Sequence, residues 1–383
     1  MIKIPKNQEY VLNTLTKSGY EAYIVGGCVR DSLLGKIPDD YDITTNATPD
    51  VIQSLFYKTV PTGIAHGTVT VIVEKEPIEV TTFRSESGYS DSRHPDVTNF
   101  ETDIKYDLSR RDFTVNAMAY NNEKGLVDLY GGREDLKNKV LRAVGEPKKR
   151  FSEDALRILR LFRFASKLNF SIESDTQKAA IKLKDGLEKI SRERIFAELY
   201  KTVNAENPSA LMPLLSAGGL EFLGVKKQVD FEKIKKCRVK SNLAFFAFGY
   251  SGTDNITEFL SELKVSNKLK NYCLTLEKLS GLPIPESRAE IKEMLNISSL
   301  DVFCDYSVFK GLPGLKNEAE DIILKKEPYR ISDLAVDGKR LKKMGINGID
   351  IGEKLELMRK YVIINPEKNN EKDLTGYLLS GIL

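Results

Sequence analysis

Three acidic side chains stand where they could hold metal ions. Asp40 and Asp42 lie two positions apart at the start of the β-like run Tyr-Asp-Ile-Thr-Thr, so a strand would project both carboxylates from one face. Glu79 lies among apolar neighbours in a second strand-like run, and the three acids converge if the two strands are neighbours. Such carboxylates suit Mg²⁺, which takes one or two of them together with substrate phosphates and water. The pattern predicts two-metal phosphoryl transfer, although an isolated Asp-x-Asp is more often a solvated turn.

A glycine pair and a basic cluster accompany these acids. Gly26 and Gly27 let the backbone approach a ligand closely, and the helix expected after them carries Arg30, a forked donor for phosphate. The P-loop pattern GxxxxGK[ST] does not occur in the sequence. The basic pair that ends at Arg111 precedes Asp112 and an apolar stretch, which predicts a short helix with its arginine end free. Taken alone, each feature is also common in ordinary turns and at ordinary helix ends.

The segment from residue 153 to residue 168 predicts a helix with one charged ridge in apolar surroundings. One interpretation is an ion-pair seam to another helix, with the acid at the start of the ridge pairing with the arginine one turn on. The other is a nucleobase reader, in which a carboxylate accepts from an exocyclic amine and an arginine donates to a ring nitrogen or keto oxygen. Such a reader favours C and A over G and U. The charged residues recur every three positions, and they are Asp154, Arg157, Arg160 and Arg163.

The elements that must position these residues divide the chain into two kinds of sequence. Up to residue 146, β-branched runs bounded by Gly, Pro or polar turns alternate with short helical segments. One of those helices is predicted to have Thr48 as its cap and Pro49 at its first position. Beyond residue 146 the strand signals almost vanish, and amphipathic helical segments follow one another. We expect an α+β head followed by a long helical body.

The composition is typical of a globular protein of a reducing compartment. Of 383 residues, 41% are hydrophobic and 30% charged, and no apolar run reaches the roughly 18 residues that span a bilayer. The N-terminal sequence lacks an apolar signal-peptide core, and four scattered cysteines without a CxxC pair predict neither a disulfide framework nor a zinc site. Residues 1–150 hold 20 Lys/Arg against 22 Asp/Glu, and the remainder holds 38 against 33. We expect a cytoplasmic protein whose mildly basic helical part suits a polyanion.

Taken together, the motifs resemble one family. That resemblance is to the bacterial class II tRNA nucleotidyltransferases, the CCA-adding enzymes of the DNA polymerase β-like superfamily. It implies a polymerase β-like head with a five-stranded mixed sheet over residues 1–146. A helical neck over residues 147–205, a body over 206–325 and a tRNA-binding tail over 326–383 would follow. The motifs that carry the resemblance occur in the order GGCVRDSLLG, DDYDITT, IEVTTFRSE, RRDFTVNAMA, EDALRILRLFRF and SRERIFAEL.

The resemblance also implies an activity and a role for each site residue. The family adds C, C and A to the 3′ end of tRNA from CTP and ATP, with Mg²⁺, and releases pyrophosphate. Ser191–Leu199 matches a segment that braces the reader helix. The implied roles are metal binding for Asp40 and Asp42, with Glu79 as the third catalytic carboxylate; triphosphate contact for Gly27 and Arg30; ribose and phosphate recognition for Arg111 and Asp112; base pairing for Asp154 and Arg157; and completion of the nucleotide-facing ridge for Arg160 and Arg163.

Several alternatives stay open within and beyond this family. Enzymes that add only the final A share nearly all of these motifs. Enzymes that add only CC lack part of the flexible stretch that here runs full length from Arg84 to Ser109, which favours completion with A. Bacterial poly(A) polymerases share the head, and a non-catalytic RNA-binding protein on this scaffold would lack one of the three acids. A small-molecule nucleotidyltransferase would not need the helical half, and neither His66 nor His94 is needed as an acid or base.

Overall fold

A computed structural model describes residues 2–88 and 97–380. His94 and the middle of the Arg84–Ser109 stretch lie outside the described residues. The chain divides into two compact units, Met1–Gln228 and Val229–Leu383. The first unit mixes strands and helices and the second is helical in its described part, so the predicted α+β class is confirmed. The division into head, neck, body and tail stays a prediction.

The first unit is built on a mixed sheet. Seven strands of the described chain form it in the order β3-β4-β5-β2-β1-β8-β9. β2 and β5 are parallel, whereas the other neighbouring pairs are antiparallel. The strands of this unit are β1 Ala22–Val25, β2 Asp42–Thr45, β3 Thr59–Gly63, β4 Thr68–Val73, β5 Glu76–Thr82, β6 Arg84–Ser87, β7 Val97–Phe100, β8 Met118–Asn121, β9 Gly125–Asp128, β10 Val140–Leu141 and β11 Ser171–Ile172.

The expected count of five strands in the sheet is therefore wrong. β3 contains Pro61, and β9 begins with Gly125, so both carry residues that weaken a strand signal. Among the described residues, each is an edge strand that pairs with one neighbour, β4 and β8 respectively. An edge position tolerates Pro because one side of the strand needs no ladder hydrogen bond.

Ten α-helices flank the sheet or follow it in the described part of the first unit. α1 buries Gln8, Val11, Leu12 and Leu15, the face expected from its helical period. In α3, Pro49 occupies the first turn as predicted, whereas the Thr48 side chain makes no capping hydrogen bond. The helices are α1 Lys6–Lys17, α2 Gly27–Leu33, α3 Pro49–Leu55, α4 Ile104–Ser109, α5 Gly132–Lys137, α6 Pro147–Glu153, α7 Leu156–Leu168, α8 Ser174–Lys182, α9 Arg192–Val203 and α10 Met212–Ser216.

The single helix predicted for residues 153–168 is divided. α6 ends at Glu153 and α7 begins at Leu156, and Asp154 between them has an extended backbone with φ −144° and ψ 105°. Its Oδ1 accepts a hydrogen bond from the Leu156 N–H at 3.0 Å. Asp prefers such a position because its side chain satisfies a backbone donor that the first helical turn leaves open. Asp154 therefore does not continue the ridge, whereas all three arginines of the ridge lie on α7.

The prediction of a short helix that begins at the arginine pair Arg110 and Arg111 is also wrong. α4 ends at Ser109, and a 3-10 turn at Thr114–Asn116 leads into β8. The Arg110 guanidinium is held by the Asp107 carboxylate, whose Oδ1 accepts from Nη2 at 2.6 Å and from Nε at 3.1 Å. Asp107 is fully buried, and a buried carboxylate needs such partners. The arginine end is thus anchored to the preceding helix.

The second unit consists of helices in its described residues. α12 is apolar all round and buries every residue from Leu243 to Gly249, as expected for a central helix. No helix in the described part of the chain is long and apolar enough to cross a lipid bilayer. The helices are α11 Phe231–Cys237, α12 Ser241–Gly252, α13 Ile256–Glu262, α14 Asn267–Gly281, α15 Arg288–Asn296, α16 Leu300–Lys310, α17 Pro313–Leu324, α18 Gly338–Lys343, α19 Asp350–Ile364 and α20 Glu371–Leu379.

Candidate active site

The sheet brings two of the three predicted acids together. Asp42 is the first residue of β2 and pairs with Val25 at the end of β1. β2 and β5 run parallel with Ile43 opposite Val80, so Asp42 and Glu79, one residue earlier on each strand, share a face. Glu79 is exposed, so it carries no burial cost. Asp40 precedes the strand by two residues and is exposed as well.

The acids repel one another in the absence of a cation. Asp42 keeps an exposed surface, yet desolvation by the surrounding protein raises its pKa. The negative charges of Asp40 and Glu79 raise the pKa further, and the Arg111 guanidinium partly offsets them. A bound cation would relieve this repulsion. The site therefore has the electrostatics that a metal-binding carboxylate pair requires.

The donor set fits a hard cation that is completed by substrate. Among residues 2–88 and 97–380, no group of three or more His, Cys, Asp or Glu side chains lies close enough to hold an ion alone. Glu79 is thus near enough to act on the charge of Asp42 but does not complete a three-carboxylate cage. Mg²⁺ characteristically uses one or two carboxylates plus phosphate oxygens and water. Asp40 and Asp42 match that use.

A glycine turn and Arg111 form the other side of the site. Gly26 has φ +80°, a conformation that favours glycine, and a Cβ on it would lie 2.9 Å from Arg111 Nη1. Asp107 holds Arg111 through a 3.1 Å hydrogen bond from Nη2. The buried Arg111 Nε has no hydrogen-bond partner in the part of the chain that is described. This unsatisfied donor leaves capacity for an anionic oxygen.

Each nitrogen of the Arg30 guanidinium donates once to a protein partner. The residue is 3% exposed, and its Nε and Nη2 each donate to Asp31 at 2.8 Å. Its Nη1 donates to Asn116 Oδ1 at 2.6 Å, and the guanidinium lies 5.3 Å from the Phe164 ring centre. Nη2 is 3.6 Å from the point where a Gly27 Cβ would stand. Arg30 therefore lies beside the turn with three of its five N–H donors bound to protein, and phosphate contact would use the second N–H of Nη1 or Nη2.

Asp112 joins the arginine motif to α7. Its Oδ2 accepts from Arg160 Nε at 2.9 Å and from Nη2 at 2.6 Å. Burial alone would raise the pKa of Asp112, but the charge and hydrogen bonds of Arg160 hold that pKa at about 2. The carboxylate is thus ionised and fixed on α7. Its predicted contact with ribose would have to use the remaining accepting capacity of this group.

Asp154 and Arg157 lie three positions apart, and their side chains pair with other groups. Asp154 Oδ2 accepts from Arg194 Nη2 at 2.8 Å. Arg157 Nη1 donates to Glu153 Oε2 at 3.0 Å, and its Nη2 donates to the Arg110 carbonyl at 3.2 Å. The predicted Asp154–Arg157 pair is replaced by these contacts because Asp154 leaves the helix. Both side chains keep part of their surface exposed, 15% and 11% respectively.

α9 braces α7 through two charged contacts. Glu198 lies 2.5 Å from Arg163 Nε and 3.8 Å from Arg160 Nη1. The Arg163–Glu198 contact is a close and largely buried ion pair. Arg194, one turn before Glu198, supplies the contact to Asp154. The ion-pair seam that the charged ridge suggested therefore exists, with α9 as its partner helix.

Four residues of this network were not individually predicted as parts of the site, although two of them lie in the expected bracing segment Ser191–Leu199: Asn116, Phe164, Arg194 and Glu198. Arg194 and Glu198 lie in the segment SRERIFAEL, where a four-residue spacing on one face of a helix would have signalled a common partner. Asn116 ends the polar part of RRDFTVN, with no distinctive spacing. The Phe164 ring lies within 5.5 Å of the guanidinium carbons of Arg30, Arg160 and Arg163, a cluster that only folding brings about.

Comparison with known proteins assigns the family. Residues 22–142 match the Poly A polymerase head domain, and residues 169–221 match the probable RNA and SrmB-binding site of polymerase A. A CCA-adding enzyme of Lactobacillus helveticus is 36% identical over 99% of this chain and 99% of its own length. One of Pediococcus pentosaceus is 38% identical over 94% of each.

A solved structure extends this likeness to three dimensions. The crystal structure of the Bacillus stearothermophilus CCA-adding enzyme in complex with CTP has a TM-score of 0.81 and 29% identity to this chain. The alignment covers 98% of this chain and 96% of that one. The identities and the coverage of the whole chain exceed what a shared head domain alone would give, and the chain belongs to the family of CCA-adding enzymes, which are tRNA nucleotidyltransferases.

Proposed function

We propose that this chain adds C, C and A in order to the 3′ end of tRNA from CTP and ATP, and releases pyrophosphate. The observation that carries the proposal is the placement of Asp42 beside the glycine turn, where the charge of Arg111, which keeps an unsatisfied guanidinium donor, acts on an acid pair in need of a cation. A triphosphate with its metal ions satisfies both needs at once. We expect the reaction to take place in the cytoplasm.

At the acid end, Asp40 and Asp42 would hold Mg²⁺ and Glu79 would stand beside them as the third carboxylate. Two such ions, when bound, lower the pKa of the attacking 3′-hydroxyl and neutralise charge on the triphosphate and the leaving pyrophosphate. Arg111 would donate to phosphate or ribose oxygens from its position over Gly26, and its unsatisfied Nε supports this role. Gly27 would let the backbone approach the triphosphate closely, and Arg30 would donate the second N–H of one of its terminal nitrogens.

At the reader end, Asp154 and Arg157 would select the base. The Asp154 carboxylate would accept from the exocyclic amine that C and A share, and Arg157 would donate to a ring nitrogen or keto oxygen. G and U present a keto oxygen where the amine should be, which faces the carboxylate unfavourably. Arg160 and Arg163 would complete the basic ridge. The α9 contacts that hold these side chains support a fixed protein template.

The experiment that tests this function uses three transcripts of one tRNA, which end before CCA, after C and after CC. Each is incubated with the purified protein and Mg²⁺, and with CTP alone, ATP alone or both. Growth of every transcript to CCA followed by a stop supports the proposal. One added A on the CC-ended transcript only makes the chain an A-adding enzyme, and long A tails make it a poly(A) polymerase. No extension of any transcript contradicts nucleotidyl transfer to tRNA and favours a binding-only protein.

A further inference from the structure

Asn116 connects the two ends of the candidate site. It ends the 3-10 turn before β8 and is 6% exposed. Its Oδ1 accepts from Arg30 Nη1 at 2.6 Å, and its Nδ2 donates to Asp112 Oδ1 at 3.2 Å. The Asn116 amide thus contacts both Arg30 of α2 and Asp112, the carboxylate that binds Arg160 of α7.

Chemistry fixes the orientation of this amide. A guanidinium has only donors, and an ionised carboxylate has only acceptors. The reversed amide would present its NH₂ group to Arg30 and its carbonyl to Asp112, and both contacts would be repulsive. Asparagine is therefore matched to its two neighbours in a way that neither an acid nor an apolar residue of similar size can reproduce.

The contacts continue on both sides of Asn116. Arg30 reaches back to Asp31 and lies near the Gly27 backbone. Asp112 binds Arg160 through two hydrogen bonds of 2.9 and 2.6 Å. The path from α2 to α7 is therefore a continuous series of charged or charge-assisted hydrogen bonds, all of them partly or wholly buried.

Phe164 links the same two arginines by a second route. Its ring centre lies 5.3 Å from the guanidinium carbon of Arg30 and 5.5 Å from that of Arg160. A displacement of either guanidinium changes its contact with the shared ring. The hydrogen-bonded path and the ring together tie the placement of Arg160 to the bonding of Arg30.

We propose that Asn116 is a positioning residue that couples the phosphate side of the site to its base-reading side and thereby contributes to nucleotide selection. This inference rests on the proposed function. Three of the five Arg30 N–H donors already bind protein, so a phosphate oxygen would bind the second N–H of Nη1 or Nη2 and draw the guanidinium toward itself. The Nη1 contact with Asn116 then changes, the amide bonds Asp112 differently, and Arg160 moves with Asp112. Binding of a triphosphate at Arg30 thus changes the position of Arg160 on the base-reading side of the site, and Asn116 transmits the change.

The test compares two variants of Asn116 by the ratio of kcat/KM for CTP over UTP and for ATP over GTP. Asn116→Leu removes both hydrogen bonds, and we expect each ratio to fall at least about tenfold, the factor for loss of a single charge-assisted hydrogen bond. Asn116→Asp keeps an acceptor for Arg30 but sets a second carboxylate against Asp112. It should keep KM for the correct nucleotide close to the wild-type value and still lose selectivity.

The ratio of the two kcat/KM values distinguishes a positioning role of Asn116 from a purely structural role. A purely structural role lowers the melting temperature and the fraction of active protein, and the active fraction cancels in a ratio of two kcat/KM values. Asn121 provides the matched control: it is 8% exposed, donates to the Ala22 carbonyl at 3.0 Å and accepts from the Lys124 N–H at 2.7 Å. Asn121→Leu should lower the melting temperature and leave both ratios unchanged.

Each outcome assigns success or failure to one claim. If the wild-type protein extends no tRNA, the proposed function fails. If it extends tRNA and Asn116→Asp keeps the wild-type ratios, the coupling through Asn116 is refuted, even where Asn116→Leu does not fold. Equal loss of selectivity in the Asn116 and Asn121 variants would also refute it, because the effect would then follow from general destabilisation of the head.

Discussion

Replacement of Asp112 by asparagine is expected to lower the free energy of unfolding by about 2–3 kcal/mol at pH 7. Arg160 holds the pKa of the folded-state carboxyl at about 2 against the effect of burial. The unfolded chain should titrate near an ordinary value of about 3.9, and each unit of difference corresponds to about 1.4 kcal/mol. Because Asp112 is only 9% exposed, solvent screens this interaction weakly.

The pH dependence of this contribution has a definite sign. A depressed folded-state pKa means that the unfolded chain binds more protons at acidic pH, so stability falls as pH falls. The contribution is complete above about pH 5, drops to about half near pH 3 and is lost as the pH passes below about 2. The difference in unfolding free energy between wild type and Asp112→Asn should therefore shrink with acidification.

The assay is urea unfolding of both proteins at pH 7, 4 and 3, together with a carboxyl-carbon NMR titration of Asp112. Asp175→Asn is the control, because this aspartate pairs with Lys178 at 3.4 Å but both side chains are more than 70% exposed. Exposed pairs contribute little, so the control should unfold like wild type. An ordinary titration of Asp112, or an asparagine variant as stable as wild type at pH 7, would refute the reasoning.

Three further substitutions test other parts of the site. Asp42→Ala should abolish incorporation of both nucleotides and leave tRNA binding in a filter assay intact; near-normal turnover would overturn its assignment to metal binding. Arg157→Ala should permit insertion of U or G at a measurable rate, and unchanged nucleotide preference would reduce Arg157 to its ion pair. Gly26→Ala should raise KM for both nucleotides because its Cβ would stand 2.9 Å from Arg111 Nη1, whereas Gly19→Ala, with a similar φ of +88° and no atom within 4 Å, should affect stability alone. Equal KM changes in the two glycine variants would contradict the role of the turn.

The convergence of Asp42 and Glu79 could be predicted from the sequence only on the condition that their strands are neighbours. Each acid occupies a fixed place in a β-branched run, and strand period alone decides which face it takes once two strands are neighbours. The residues that gave the family resemblance belong to such local patterns. The edge strands could not be predicted in the same way, since Pro61 in β3 and Gly125 at the start of β9 weaken their strand signal.

The partners of the charged ridge could not be predicted, because they come from distant parts of the chain. Arg160 binds a carboxylate 48 residues away, and Asp154 binds an arginine 40 residues away. Helical periodicity shows which charged residues share a ridge, but it does not identify the residues with which they pair. The extended backbone of Asp154 was missed for a related reason: an Asp beside an apolar helical run fits both a first helical turn and the capping position before it.

The most direct test of the central claim is the composition of the product formed on a tRNA that ends before CCA. The protein is given this tRNA with Mg²⁺ and all four nucleoside triphosphates, and the intact product is weighed by mass spectrometry. The account predicts one product, heavier by two cytidylates and one adenylate, and no further growth. A product of any other composition, or a tRNA of unchanged mass, would contradict it.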